Sequence, residues 1–237
     1  MNTEIPLLGG RSTEGIVQIE NTVHRPQGIN ADFIHSLLQH LEKKGFSYAP
    51  RFLGVDDKNR EILSFIEGEV LREKNNWTDE QLTQVADLLR EFHNSTAGSN
   101  LAGENEVVCH NDFAPWNLIF KNNAVVGIID FDGAHPGKRS DEFAYAVWTF
   151  LNLGDNVPLE RQIRRIKLMS NAYDFHNGPE FVESLIKEQE HILSMRKNLS
   201  INAKTEDERA FSTLKVTEFH NQIEWVKVNR EVLAAIL

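Results

Sequence analysis

The 237-residue sequence holds a single cysteine, Cys109. That excludes an internal disulfide framework and any multi-cysteine zinc site. No run approaches the ~18 consecutive apolar residues that a membrane-crossing helix needs. Residues 1–10 lack a basic segment followed by an apolar one, so no signal peptide and no membrane partner are expected. Cations are scarce: Lys and Arg total 25 against 35 Asp and Glu, a formal charge of −10. A protein that tracks a phosphate backbone usually carries the opposite balance, which argues against nucleic acid as a partner. Net acidity suits a cationic small molecule better, and a reduced cytoplasm is the expected location. No lysine at all occurs between Met1 and Leu41.

What is present is an ordinary globular composition, 41% hydrophobic and 25% charged, in a chain long enough to bury a core without staples. Residues 1–66 read as strands plus one helix. Strands are expected at 16–19, 22–23, 50–55 and 61–66, the last two split by the polar turn Asp56-Asp57-Lys58-Asn59. Phe33, Leu37, Leu38 and Leu41 share one helical face after Asn30 as N-cap, and Gly45 supplies the stop. The texture changes at Gly68. Thr78 with Gln81 forms a capping-box pattern ahead of a helix reaching about His93. A polar loop over 94–105 leads to a buried strand at 107–109. Helical patterns follow at about 141–152, 159–175, 179–197 and 207–236. The expected fold class is α+β in two lobes, a small mixed-sheet lobe over 1–66 and a larger, mainly helical one over 67–237.

The informative stretch is VVCHNDFAPWNLIFKNNAVVGIIDFDG, residues 107–133. A strand at 118–120 leaves the polar loop and a strand at 125–129 returns antiparallel through the turn Lys121-Asn122-Asn123. Asp130 therefore arrives at the end where Asp112 and Asn117 began. Mg²⁺ prefers hard oxygen ligands, one or two from protein and the rest from phosphate and water. Asn117 and Asp130 can be those ligands, leaving Asp112 free to accept a hydroxyl proton. This is a parts list for phosphoryl transfer. Cys109, just ahead of His110, reads as a buried spacer, and His110 as a brace of the loop. Asp132 has two readings, an accessory metal ligand or a turn former. Trp116 reads as packing.

The pattern His110-x-Asp112-x-x-x-x-Asn117, followed by a hydrophobic strand ending in Ile129-Asp130, resembles the aminoglycoside phosphotransferase family, the small-molecule branch of the protein-kinase-like fold that also includes choline kinases. The resemblance implies a bilobal protein-kinase-like fold. It implies Asp112 as catalytic base, Asn117 and Asp130 as Mg²⁺ ligands, and ATP or GTP as donor. Its acceptor would be a small-molecule hydroxyl, such as an aminoglycoside or an amino alcohol. Asp141 resembles the family's Asp that opens the next helix.

The nucleotide lobe departs from the family pattern. The usual strand lysine is missing, and Arg25 is the candidate cation for the phosphates, since a guanidinium can grip phosphate bidentately. The helix carboxylate that would pair with it is also missing. Ile34 or His35 stands at its place, with Asp32 as a neighbour. Gly9, Gly10 and Gly15 frame a tight turn whose Ser12 and Thr13 hydroxyls would reach phosphate. Residues 64–68 resemble the hinge, with backbone groups of Ser64 and Ile66 meeting the base. These departures keep a second reading open, a degenerate nucleotide-binding module without transferase activity. On the acceptor side, Glu180, Glu183, Glu188, Glu190, Glu206, Asp207, Glu208, Glu218 and Glu224 are candidate carboxylates. Tyr145, Trp148, Tyr173 and Trp225 are a candidate cation–π wall.

Overall fold

The computed structural model describes residues 3–7, 15–71, 76–203 and 205–237. The fold is α+β, with strands concentrated before residue 138 and helices after it. Cα packing groups the chain into two compact units, one of Met1–Arg72 with Glu91–Gly137, the other of Glu73–Arg90 with Lys138–Leu237.

The first unit opens with β1 (Ile5–Pro6), β2 (Val17–Ile19) and β3 (Thr22–Pro26), then α1 (Ala31–Lys43), β4 (Phe52–Val55) and β5 (Arg60–Ser64). These strands form one antiparallel sheet in the order β1-β2-β3-β5-β4. The Asp56 carboxylate builds the β4–β5 turn by accepting the backbone N–H of Lys58 and of Arg60, both at 2.9 Å. The apolar stripe of α1 buries Ile34, Leu37, Leu38 and Leu41. Asn30 occupies the N-cap position, but its side chain makes no capping bond.

After β6 (Glu69–Val70), helix α2 (Asp79–Thr96) starts with the expected capping box, Thr78 and Gln81 each accepting the other's backbone N–H at 3.2 Å. Then come β7 (Val107–Cys109), β8 (Leu118–Lys121), β9 (Ala124–Ile128) and β10 (His135–Gly137). They form a three-stranded sheet, β6-β8-β9, and a two-stranded ribbon of β7 with β10. Strands β6 and β10 escape a reading of local pattern, being two and three residues long with partners distant in sequence. Packing groups β7 to β10 with the N-terminal sheet, beyond the expected lobe boundary at 66/67 in sequence. Phe92 joins this core, its ring 5.8 Å from that of Phe46 and 5.9 Å from that of Phe131. Cys109 is buried and forms no disulfide.

The second unit is helical: the first part of α2, then α3 (Arg139–Leu151), α4 (Leu159–Tyr173), α5 (Gly178–Ile201), α6 (Glu206–Val228) and α7 (Arg230–Ala235). Its core stacks Phe143 on Tyr173 and Phe175 at 4.8 and 5.2 Å. The single helix expected at 207–236 breaks at Asn229, whose side chain donates to the Trp225 carbonyl at 2.8 Å and caps α6. Asn favours such caps because its side chain competes with the backbone ladder. Among the described residues no helix is long and apolar enough to cross a membrane.

Candidate functional site

The site lies within the first unit, on the segments that link β7, β8, β9 and β10. Two backbone features shape it. Asn111 and Asp130 both adopt left-handed conformations, φ 61 and 67 respectively. Asn and Asp tolerate that region because their short side chains bond locally. Asn111 does so here: its Nδ2 donates to the Cys109 carbonyl at 3.2 Å and the Gly133 carbonyl at 3.0 Å. The loop after β7 is thereby tied to the turn before β10.

His110 is the brace the sequence suggests. It is fully buried. Its Nδ1 accepts the Asp112 N–H at 3.3 Å, so Nε2 carries the ring proton and donates to the Ile129 carbonyl at 3.0 Å. The Ile129 N–H in turn donates to the Asn117 carbonyl at 2.9 Å. One ring and one backbone bond thus fix the approach of Asp130 to the loop that carries Asp112 and Asn117.

Asp112 and Asn117 are in direct contact. The Asn117 Nδ2 donates to the Asp112 carbonyl at 2.9 Å and to its carboxylate Oδ2 at 2.7 Å. An amide held by both of its protons is fixed in orientation, and Oδ1 is the atom left for another ligand. Trp116 does not pack in the core. It is 40% exposed, and its indole Nε1 donates to both Asp112 carboxylate oxygens at 3.1 Å. The 3-10 turn Pro115–Asn117 sets this up, placing the indole and the amide on one carboxylate.

Asp130 is half-exposed. Its partial burial pushes its pKa up from the ordinary carboxylate value, and the neighbouring Asp132 charge adds to the rise; Arg25 and His110 oppose without cancelling it. A carboxylate whose ionisation a neighbouring carboxylate opposes is eased by a nearby cation. The set on this edge, an amide oxygen on Asn117 with carboxylates on Asp130 and Asp132, consists of the hard oxygen donors that a divalent ion such as Mg²⁺ takes.

Arg25 faces this edge from β3. Its Nη1 lies 3.7 Å from Asp130 Oδ1, and Nη2 donates to Asp132 Oδ1. Its Nε donates to Glu61 Oε1 at 2.5 Å. Burial opposes its charge, but Asp132 and then Glu61 outweigh that, so its pKa is raised. Asp32, the neighbour of the missing carboxylate's place, is exposed on α1, and Arg25 bonds instead to Glu61 and Asp132. Glu61 takes that role from the neighbouring strand, directly opposite Arg25 in the β3–β5 register. A carboxylate at an inward position of the strand Arg60–Ser64 was the available signal, because a buried charge needs a partner.

The other expected nucleotide contacts are less accessible or undescribed. Ser12 and Thr13, with Gly9 and Gly10, lie outside the described residues. Ser64 ends β5 and spends its groups on the sheet: its N–H donates to the Arg51 carbonyl and its Oγ accepts the Arg51 N–H, at 2.9 and 2.8 Å. Ile66 follows it, its side chain against Gly127, where a Cβ would come within 2.8 Å.

In the helical unit, most of the candidate acceptor carboxylates are engaged. Arg230 pairs with Glu183, Lys227 with Glu190 and Glu224, and Lys215 with Glu218. Asp141, in the first turn of α3, accepts from Ser184 and Lys187 at 2.8 and 2.6 Å. Burial pushes the Glu188 carboxyl up, and nearby Asp141 adds to the rise. Tyr145, Trp148 and Tyr173 are buried. They are core rather than an exposed wall for an amine.

A model of the phosphotransferase enzyme family, the aminoglycoside phosphotransferase group, matches residues 96–177. The chain is 32% identical over 212 residues to the trifolitoxin immunity protein of Rhizobium leguminosarum bv. trifolii, covering 78% of this chain and 80% of that protein. Its fold is similar to that of a choline/ethanolamine kinase family protein from Mesorhizobium loti, with TM-score 0.66, 13% identity, and coverage of 99% of this chain and 92% of that one. It is also similar to an aminoglycoside 2″-phosphotransferase IIa captured with streptomycin and ATP, with TM-score 0.59, 14% identity, and coverage of 95% and 94%.

Proposed function

This chain belongs to the family of the trifolitoxin immunity protein and its residues 96–177 match the phosphotransferase enzyme family, and from that premise we propose that it transfers the γ-phosphoryl group of ATP, or of GTP, to a hydroxyl of a small molecule. The observation that carries this reading is the contact of Asn117 with the Asp112 carboxylate beside Asp130. Asp112 is the base: it takes the acceptor proton as the new O–P bond forms and the bond to the bridging oxygen breaks, releasing the nucleoside diphosphate. Trp116 and Asn117 hold that carboxylate in place. The Oδ1 of Asn117 and the carboxylate of Asp130 would hold Mg²⁺, with Asp132 beside them. Bound there, the ion neutralises charge on the β- and γ-phosphates. Arg25 directs the Nη end of its guanidinium toward the same edge, where a phosphate oxygen can replace a carboxylate oxygen as its partner. Ser12, Thr13, Ser64 and Ile66 complete the proposed nucleotide contacts. The donor nucleotide makes the cytoplasm the place of reaction. The acceptor is proposed to be an aminoglycoside or an amino alcohol, classes that the names of the structural neighbours supply.

A second reading, a nucleotide-binding module without transferase activity, is favoured by one observation. The Arg25 guanidinium is already engaged by Glu61 and Asp132. The relative named an immunity protein supports it too, since protection from a toxin can come from binding as well as from phosphorylation. A coupled assay of diphosphate release decides between the two. It screens aminoglycosides, choline, ethanolamine, homoserine, sugars and trifolitoxin with ATP and GTP. Acceptor-dependent release supports transfer. Mg-nucleotide binding in a thermal-shift assay with no release on any acceptor supports the module.

A further inference from the structure

We infer that Glu61 and His35 are positioning residues that orient Arg25 for the nucleotide, an arrangement in which the carboxylate comes from a strand and the helix supplies an imidazole. The inference rests on the phosphotransferase reading for what Arg25 does, but not for how Arg25 is held.

The geometry is closed on every side. Glu61 is 1% exposed, and each of its oxygens has its own partner. Oε1 accepts from Arg25 Nε at 2.5 Å, and Oε2 accepts from His35 Nε2 at 2.7 Å. A carboxylate oxygen accepts, so Nε2 of His35 carries the proton. His35 is itself fixed, its ring stacked on Phe52 of β4 with centroids 3.7 Å apart and planes 15° apart. Three elements therefore converge: β3 supplies the guanidinium, β5 the carboxylate, and α1 the imidazole. Cross-strand register alone brings Arg25 opposite Glu61, but it leaves the carboxylate free to rotate. The His35 bond removes that freedom.

The choice of atoms matters. Glu61 grips the guanidinium from the side, through Nε, and leaves Nη1 and Nη2 at the open end of the fork. That end faces Asp130 and Asp132, and Arg25, Glu61 and Asp132 line a cavity of about 180 Å³ with Gly28 and Asn30. A phosphate entering from there meets two donors already aimed, while Nε stays on Glu61. A lysine offers no such side attachment, since its ammonium is a point charge on a flexible stem. Stability alone does not account for the set. A buried ion pair is a weak stabiliser compared with apolar packing of similar volume.

The test uses the full chain with His35→Ala and His35→Gln. Glutamine can restore a donor to Glu61; alanine cannot. The first readout needs no ligand: the ¹⁵N–¹H signal of the Arg25 Nε–H, assigned by its loss in Arg25→Lys. Its exchange with water is expected to be slow in wild type and His35→Gln. In His35→Ala it should be about tenfold faster, the scale of one lost hydrogen bond to a charged group. The second readout is kinetic. The nucleotide KM is expected to rise about fivefold or more in His35→Ala with the acceptor KM unchanged, and to return to within about twofold in His35→Gln. If exchange at Arg25 is the same in wild type and His35→Ala, the inference is wrong. It is equally wrong if His35→Ala lowers Tm without moving that signal, which would make His35 merely structural. Wild-type protein that binds no nucleotide would overturn the phosphotransferase reading, and the Arg25 signal would still decide the positioning one.

Discussion

The Asn117 amide donates both to the Asp112 backbone carbonyl and to the Asp112 carboxylate, at 2.9 and 2.7 Å. The five-residue spacing of these two residues is therefore a contact as well as a motif. One side chain is asked to orient the proposed base with its nitrogen and to present its oxygen to the proposed metal. The two roles are inseparable in Asn117, whereas Asp112 carries only that of base.

Asp112→Ala should accordingly keep nucleotide binding and lose transfer. Removing a general base typically costs about 10²- to 10⁴-fold in turnover. Calorimetry should find Mg-ATP affinity close to wild type. Turnover equal to wild type in the diphosphate-release assay would remove Asp112 from the mechanism.

Trp116 touches Asp112 through a single N–H shared between both carboxylate oxygens at 3.1 Å. Trp116→Phe keeps most of the aromatic bulk and removes that donor. Turnover is expected to fall about tenfold or more, the scale of one hydrogen bond to a charged group, with the nucleotide KM unchanged. An equal loss in both parameters would mean that the indole acts by packing instead.

How much of this was readable in advance depended on sequence distance. Asp112, Asn117 and Asp130 announce themselves because a short hairpin returns the chain to its starting point, so spacing stands in for geometry. The role of His110 as a brace was legible for the same reason. The partners of Arg25 were not. Glu61 lies 36 residues away, and only the β3–β5 register brings it opposite. Ile34 or His35 stands in sequence where a carboxylate is expected. The bond of His35 to Glu61 depends on how α1 packs on the sheet. Trp116 reads as packing because an aromatic residue beside a loop is usually core, and nothing local reveals that its N–H points at Asp112. The C-terminal carboxylates are visible as a count, but the helix faces that pair Glu183, Glu190, Glu218 and Glu224 with Lys215, Lys227 and Arg230 are not.

Asp130→Asn should stabilise the protein in the absence of metal and nucleotide while weakening Mg-nucleotide binding. The pKa of Asp130 is raised in the folded state, first by burial and then by Asp132. A carboxyl with a raised folded pKa contributes stability below its unfolded value, and that contribution is lost as pH rises through the folded one. At neutral pH the ionised group therefore opposes folding, and a neutral amide removes the opposition. Asparagine also suits the left-handed backbone at φ 67. Thermal unfolding without ligand should show a higher Tm for the variant at pH 7, with the gap closing toward pH 4, near the unfolded value for an aspartate of about 3.9. Adding Mg-ATP should raise Tm in wild type and much less in the variant. A lower Tm for ligand-free Asp130→Asn at pH 7 would contradict the electrostatic account.

Gly68 tests the connection between β5 and β6 independently of chemistry. Its φ is 153, outside the range L-residues readily adopt, and a Cβ there would fall 2.5 Å from both Ile119 Cγ2 and the Phe120 carbonyl oxygen. Phe120 belongs to β8 and stands opposite Glu69 in the β6–β8 register, so its backbone cannot retreat without disturbing that ladder. Gly68→Ala should therefore destabilise by about 1–3 kcal/mol, the range for overpacking a well-filled site. For a chain of this size each kcal/mol corresponds to roughly 2–4 °C in Tm. Because the residue adjoins the segment proposed to meet the base, the nucleotide KM should rise as well, while the Asp112 geometry and the ratio of turnover on different acceptors stay as in wild type. A Tm within error of wild type would mean that the β5–β6 connection relaxes to accept the methyl group.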